Sequence, residues 1–317
     1  MTAPATTTRP ALRVRPATLA DLDAVSAFLA RSLGGEGGPA RYRRLFDYAW
    51  LADKPNIGAL IEHDGRVGGF LGALYSRRTI AGHPRAICNL SSWAVDEPCR
   101  RASLAMLKCL LDQRGHIFTT FSASPQVAEI LGVLKFHTER SHKLLFTSAA
   151  ALIRRPRGEP VDVTGGADHI APRLDPDHRQ ILDDHRPYRC GHVLIERGSR
   201  RCYALTIRRG HGPRAFADVL YASDPQLFVD AIGAVQPVLF RAHRTLLTGI
   251  DLRWIDRPPA FALCYTALRP VMFRTDAPTS APSAGGQSGG QPTGRALPSI
   301  SARDICALHS ELVATYG

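Results

Sequence analysis

The sequence predicts an α/β protein in which mixed, mostly antiparallel sheets are flanked by helices, with that unit present twice. Two segments carry the repeat. Leu60-Ile61-Glu62-His63-Asp64-Gly65-Arg66 and Leu194-Ile195-Glu196-Arg197-Gly198-Ser199-Arg200 each start an apolar strand, turn, and enter another. Downstream, Asp96-Glu97-Pro98 opens an amphipathic helix in the first copy, and Ser223-Asp224-Pro225 does so in the second. A fixed order of strand, turn, strand, strand, proline and helix, used twice, marks a structural repeat. At 317 residues the chain is long enough to give each copy its own core.

In the first copy, Leu12-Arg13-Val14-Arg15 reads as a strand. Thr18 then caps a helix, with Asp21 three residues on completing a capping-box pattern. Leu22, Val25, Phe28 and Leu29 recur there at helical spacing, until Gly34-Gly35-Glu36-Gly37-Gly38 breaks it. A second helix over 41–51 offers Tyr42, Leu45, Phe46 and Ala49 as its apolar face. Strands 57–63 and 67–75 meet at Asp64-Gly65, a dipeptide that tolerates the left-handed backbone of a tight hairpin. A strand at 86–95 follows, then a helix over 98–113 with Leu104, Leu107, Leu110 and Leu111 as its buried stripe. A strand at 117–122, a helix from Pro125 to near Leu134, and an extended stretch over 136–152 complete the copy.

Residues 156–166 read as a boundary between a first domain at 12–155 and a second at 167–275. The second copy places a helix at 177–184, strands at 192–195, 202–208 and 216–221, a helix at 226–243 and a strand at 246–254. Residues 1–11 predict a disordered tail, and the Pro/Gly/Ser/Gln-rich residues 276–298 a disordered linker. Ser301-Ala302-Arg303-Asp304 caps a last helix within 299–317, whose stripe of Ile305, Leu308, Leu312 and Val313 either packs on the body or docks on a protein partner. A tether of this composition transmits little packing, so removing 276–317 is expected to leave the body folded.

The 44% hydrophobic content suits a globular protein, and no apolar run approaches the roughly 20 residues of a membrane helix. Met1 to Pro10 lacks the apolar core of a secretory signal; its lack of acids leaves an organellar presequence as the alternative to a plain tail. Seven cysteines with no C-x-x-C pair argue against structural zinc and a disulfide framework, and for reduced thiols in the cytoplasm; no metal is expected. The net charge of +12 suits a polyanionic partner. The partner would be nucleic acid, an acidic membrane or a phosphorylated cofactor; the arginines are spread in pairs such as Arg77-Arg78 and Arg208-Arg209, aromatics are 7% and no nucleic-acid module is recognisable, which argues against nucleic acid, and high arginine with high alanine also fits a GC-rich genome.

Trp93-Ala94-Val95 ends a strand, and Arg100-Arg101-Ala102-Ser103-Leu104-Ala105 opens the next helix. Unpaired N–H groups and the dipole at a helix start suit a phosphate. On these residues the chain, over 12–152, resembles the GCN5-related N-acetyltransferase superfamily, and the second copy resembles it more distantly. The family's signature is a strand ending in valine and then R/Q-x-x-G-x-G/A; Ser103 stands where glycine is usual.

The resemblance implies a tandem acyl-CoA N-acyltransferase-like fold with acyl-CoA or acetyl-CoA as co-substrate. It implies that Arg100, Arg101, Ala102, Ser103, Leu104 and Ala105 wrap the pyrophosphate, and that Trp93, Ala94 and Val95 pair with the pantetheine. Ser124, beyond the next strand, joins that set. A backbone N–H near Trp93 would polarise the thioester carbonyl. Family members often carry a tyrosine acid four residues before a Gly-Phe pair; here Leu131 holds the tyrosine position and Lys135 precedes Phe136, so that acid is absent.

The candidate catalytic residues on the central strands are Glu62, Asn89 and Ser92, with His63 and Ser91 beside them; Cys88 reads as core. In the second copy, Gln226-Leu227-Phe228-Val229-Asp230 would obstruct an anion, so that half reads as degenerate. The leading expectation is transfer of an acyl group to an amine or hydroxyl of a small-molecule or polymer-precursor acceptor, by direct attack in a ternary complex. The alternative is a non-catalytic acyl-CoA sensor or scaffold that recruits a partner through its C-terminal helix.

Overall fold

A computed structural model describes residues 12–80, 82–147, 159–267, 269–275 and 300–316. The expected tail at 1–11 and linker at 276–298 lie outside the described residues. The strands form two seven-stranded sheets. The first contains β1 (Arg13–Ala17), β2 (Gly58–His63), β3 (Arg66–Ile80), β4 (His83–Val95), β5 (His116–Thr120) and β6 (His137–Glu139). The second contains β7 (His142–Thr147), β8 (Asp162–Gly165), β9 (Gly191–Arg197), β10 (Arg200–Arg209), β11 (Phe216–Ala222), β12 (Leu247–Asp251) and β13 (Leu263–Thr266). One more strand, β14 (Val271–Thr275), belongs to the first sheet.

The sheet orders are β1-β2-β3-β4-β5-β14-β6 and β8-β9-β10-β11-β12-β7-β13. They are the same pattern, and they exchange a strand. β7, from the first half, pairs with β12 and β13 in the second sheet. β14, from the second half, lies between β5 and β6 in the first. A cut at 156–166 therefore divides the chain but not the sheets, and the stretch expected over 136–152 splits between both. The alternation that buries Leu144 and Phe146 is satisfied equally by either sheet, so local sequence does not choose.

Local chemistry accounts for the elements that frame the site. Asp64 and Gly65 have φ of 52° and 71°, both left-handed, and close the β2–β3 hairpin. The Asp21 carboxylate accepts from the Thr18 N–H at 2.8 Å and its hydroxyl at 3.2 Å, capping the turn that leads into α1 (Leu22–Leu33). The second helix, α2 (Gly38–Phe46), ends before Ala49, which is exposed while Tyr48 is buried. The helix expected over 98–113 is a 3-10 segment (Glu97–Ala102) followed by α3 (Ser103–Leu111). That change of winding turns Leu104 outward, 55% exposed, and buries Met106 with Leu107 and Leu110.

The C-terminal segment differs most from expectation. Asp304 accepts from the Ser301 N–H and hydroxyl, both at 2.8 Å, but caps only one 3-10 turn. The chain then runs without regular structure, with His309 at φ 53°, to a short helix at Glu311–Tyr316. Ile305, Leu308, Leu312 and Val313 are buried between the sheets, against Ile87 and Phe121 of the first half and Leu205 and Leu220 of the second. The stripe is used inside the molecule, so removing 276–317 takes out core side chains, against the expectation that the body does without them. All seven cysteines are free. Among the described residues no helix is long and apolar enough to cross a membrane.

Candidate functional site

β4 and β5 run parallel only over Ala86–Asn89 and His116–Thr119. Beyond Asn89, β4 continues to Val95 without a strand partner on that side among the described residues, so the two strands fork and leave a row of β4 backbone groups outside the ladder. On its other side β4 carries a bulge. Phe70 pairs with Ala94 and Gly72 with Ser91, leaving Ser92 and Trp93 opposite Leu71. Ser92 has φ 54°, a strained conformation for a residue with a side chain. A bulge takes a peptide out of the ladder and re-aims its neighbours. The fork opens on a cavity of about 660 Å³ between the two sheets.

The C-terminal segment closes the fork's apex. The Asn89 amide donates to the Thr119 carbonyl and hydroxyl, both at 3.2 Å, and its Oδ1 accepts from the Glu311 N–H at 3.2 Å. Glu311 Oε1 accepts from the Phe121 N–H at 3.3 Å and from Ser122 Oγ at 2.7 Å. Its Oε2 is buried without a hydrogen-bond partner among the described residues. Burial pushes the Glu311 carboxyl up from its ordinary value, with the Ser122 and backbone hydrogen bonds pulling the other way. Ser91, Ser92, Trp93, Ser122, Ser124 and Glu311 all line the cavity.

The expected site residues divide accordingly. Ser92, Trp93 and Ser124 are at the cavity, although the Ser124 hydroxyl also caps α4 (Pro125–Val133) by accepting from the Val127 N–H at 3.3 Å. Asn89 is a bolt, not a base: both ends of its amide are engaged and it is 1% exposed. Glu62 lies outside the cavity lining, paired with Arg15 at 3.3 Å, and His63 adjoins Asp64 at the hairpin turn. Ala94 and Val95 pack into apolar clusters and do not line the cavity. Cys88 is fully buried, and burial pushes its thiol up to about 12, as a core residue requires. Leu131, in the tyrosine position, lines the cavity without a proton to give.

Arg100, Arg101, Ala102, Ser103, Leu104 and Ala105 are also outside the cavity lining. The i→i+3 bonds of the 3-10 segment occupy N–H groups that a phosphate loop leaves free; Cys99 donates to the Asp96 carbonyl at 2.9 Å, and Ser103 donates to that of Arg100. Arg100 is exposed and paired with Glu97 at 2.8 Å. Residues 100–105, with these N–H groups bonded within the 3-10 segment, are therefore less open to a phosphate than a phosphate loop would be.

The second sheet forks after Asp218 and Gly249, but charges fill the opening. Lys143 of β7 and Arg209 of β10 both bind Asp218, the latter at 2.8 Å. Beside them, Arg253 grips Asp251 with Nε and Nη2 at 2.9 and 2.8 Å, and Ser141 donates to the same carboxylate at 3.2 Å. Arg253 and Lys143 hold the Asp251 carboxyl below its ordinary value despite the opposing effect of burial. The expected obstruction at 226–230 is instead core: Leu227, Phe228 and Val229 are buried. Sequence reasoning missed Glu311 and this charged row. An acid set among Leu308, Leu312 and Val313 was the one local signal for Glu311, and its Asn89 contact spans 222 residues. Among the described residues no three His, Cys, Asp or Glu side chains cluster as metal ligands.

No family model matches the sequence, and no curated protein matches it. Solved structures match its fold. A GCN5-related N-acetyltransferase from Anabaena variabilis ATCC 29413 is 12% identical, covering 83% of this chain and 72% of that one, with a TM-score of 0.54. A conserved protein of unknown function from Enterococcus faecalis V583, described as a probable N-acyltransferase, is 11% identical over 84% and 73%, with a TM-score of 0.57. A GCN5-related N-acetyltransferase from Kribbella flavida is 13% identical over 86% and 72%, with a TM-score of 0.54. At identities this low the matches show a shared fold alone.

Proposed function

Because the chain carries the GCN5-related N-acetyltransferase fold in two copies, we propose that it moves an acyl group from acyl-CoA or acetyl-CoA to an amine or hydroxyl acceptor. The observation that carries this reading is the β4–β5 fork, bulged at Ser92 and open to a cavity large enough for the reacting ends of both substrates. The unpaired β4 edge beyond Asn89 would hydrogen-bond the pantetheine arm, and peptide N–H groups at the Ser92–Trp93 bulge would stabilise the oxyanion as the thioester is attacked. The acceptor would enter from the second sheet's side of the cavity and attack directly in a ternary complex. Seven free thiols suit a reducing compartment such as the cytoplasm.

Isothermal titration with acetyl-CoA and longer acyl-CoAs tests the binding half, and thiol release against a panel of small amines and alcohols tests the transfer. A folded sample that binds no acyl-CoA would sink the reading. The phosphate position is tested separately. If the pyrophosphate lies against 100–105, Ser103→Trp fills its space and should abolish acyl-CoA binding, while Ser103→Gly should keep or improve it. Wild-type affinity in Ser103→Trp would place the phosphates elsewhere. Val229 does not serve as the matching control in the second copy, because a tryptophan at this buried position would disrupt the core.

A second reading, acyl-CoA binding without turnover, is favoured by Leu131 at the position of the family's acid. Tight binding with no thiol release from any acceptor would select it. Recruitment of a partner through the C-terminal stripe has no support, since that stripe is buried.

A further inference from the structure

Three carboxyl-bearing side chains line the cavity: Asp218, Asp251 and Glu311. Asp218 is bound by Lys143 and Arg209, and Asp251 by Arg253, so cations engage both. Among the described residues Glu311 has no cationic partner. One of its oxygens is fixed by the Phe121 N–H and Ser122 Oγ, and the other is buried and unpartnered. A buried carboxyl oxygen without a donor is costly as an ion and suits an acid that gives and takes one proton. Glu311 lines the same cavity as Ser92 and Trp93, and its own N–H is tied to Asn89, the last paired residue before β4 and β5 part.

We propose that Glu311, delivered by the C-terminal segment, is the proton shuttle of the acyl transfer, filling the role that Leu131 leaves vacant. This rests on the acyltransferase reading above. The acceptor's nitrogen or oxygen lone pair forms the bond to the thioester carbonyl carbon. The C–S bond breaks with its electrons going to sulfur, and the protonated Glu311 carboxyl gives its proton to that thiolate. The carboxylate so formed takes the proton shed by the acceptor atom, which restores the starting state with no other reactant. Ser122 holds the carboxyl in place throughout, so its contribution is positional.

Steady-state kinetics on the full chain, with acetyl-CoA and the acceptor most active in the panel, test the assignment. Glu311→Gln preserves size and an oxygen that can accept from Ser122 and Phe121. It is expected to lower kcat by about 100-fold or more, the range for a lost general acid–base group, while acetyl-CoA affinity measured by titration stays near wild type. Wild-type kcat in that variant would overturn the proposal. If the glutamine variant does not fold by circular dichroism, Ser122→Ala provides the test. The Ser122 hydrogen bond lowers the Glu311 pKa, so its removal should move the alkaline fall-off of kcat to higher pH; an unmoved profile would overturn the proposal. A wild-type protein that binds no acetyl-CoA and releases no thiol defeats the acyltransferase reading and this one with it. An active wild type with an unimpaired Glu311→Gln defeats the shuttle alone.

Discussion

A chain ending at residue 299 is expected to lose its cooperative thermal unfolding. Residues 300–316 place Ile305, Leu308, Leu312 and Val313 between the two sheets, all buried. Each buried aliphatic side chain contributes about 1.5–3 kcal/mol. Four together contribute about 6–12 kcal/mol, set against a total stability of about 5–15 kcal/mol for an ordinary domain. The loss is also polar: Asn89, Phe121 and Ser122 would each lose a partner in Glu311 at the fork. Circular dichroism and calorimetry on the truncated chain check this, and a melting temperature equal to that of the full chain would refute it. The single change Leu308→Ala is expected to cost about 2–5 kcal/mol, the range for emptying a packed core position.

Acidification from pH 7 toward pH 4 should be the second large effect. Burial lowers His192 and His243 to about 4 and His309 to about 3, and it lowers His185 well below its ordinary 6.5. Each ring is therefore neutral in the fold but takes a proton in the unfolded chain below 6.5. In that window the unfolded state binds more protons, so stability falls with pH by up to about 1.4 kcal/mol per pH unit for each imidazole. Asp184 and Glu311 act in the opposite sense. Burial raises both, so the folded state binds protons there before the unfolded chain does, and acid favours the fold at those two sites. Asp21, Asp175 and Asp251, held below their ordinary values, lose stability in acid as the four imidazoles do, which leaves a net loss against the two raised carboxyls.

The effect concentrates where the C-terminal segment docks. The His309 N–H donates to His185 Nε2 at 3.2 Å, and His309 Nε2 lies 2.9 Å from Asp184. Burial lowers the His309 ring and raises the Asp184 carboxyl from their ordinary values, so both shifts work against charging this pair. Denaturant titrations at pH 7 and pH 5 measure the difference. Equal free energies at the two values would show that these rings are solvated and not buried.

Much of the fold was legible locally. The Thr18–Asp21 and Ser301–Asp304 caps, the Asp64-Gly65 turn, the repeated hairpin and the helix led by Pro225 all form where short-range chemistry puts them. Of the candidate residues, Ser92, Trp93 and Ser124 line the cavity between the sheets. Glu62 and Asn89 were misjudged for a common reason: a polar residue on a central strand looks the same whether it faces a substrate, Arg15 or Thr119. The winding of 97–102 was also not legible, since Pro98 and the arginines suit a helix start and a 3-10 turn alike.

The sequence by itself determined most of the strands, the tight turns and the fact that one unit is built twice, because periodicity, capping and turn preference act over a few residues. Only the tertiary structure decided which sheet receives β7 and β14, what fills the second fork, and that Glu311 closes the first. Strand alternation is the same whichever sheet a strand joins, and a buried carboxyl takes its character from partners it meets only after the chain has closed on itself. At Glu311 those partners, Asn89 and Ser122, are 222 and 189 residues away.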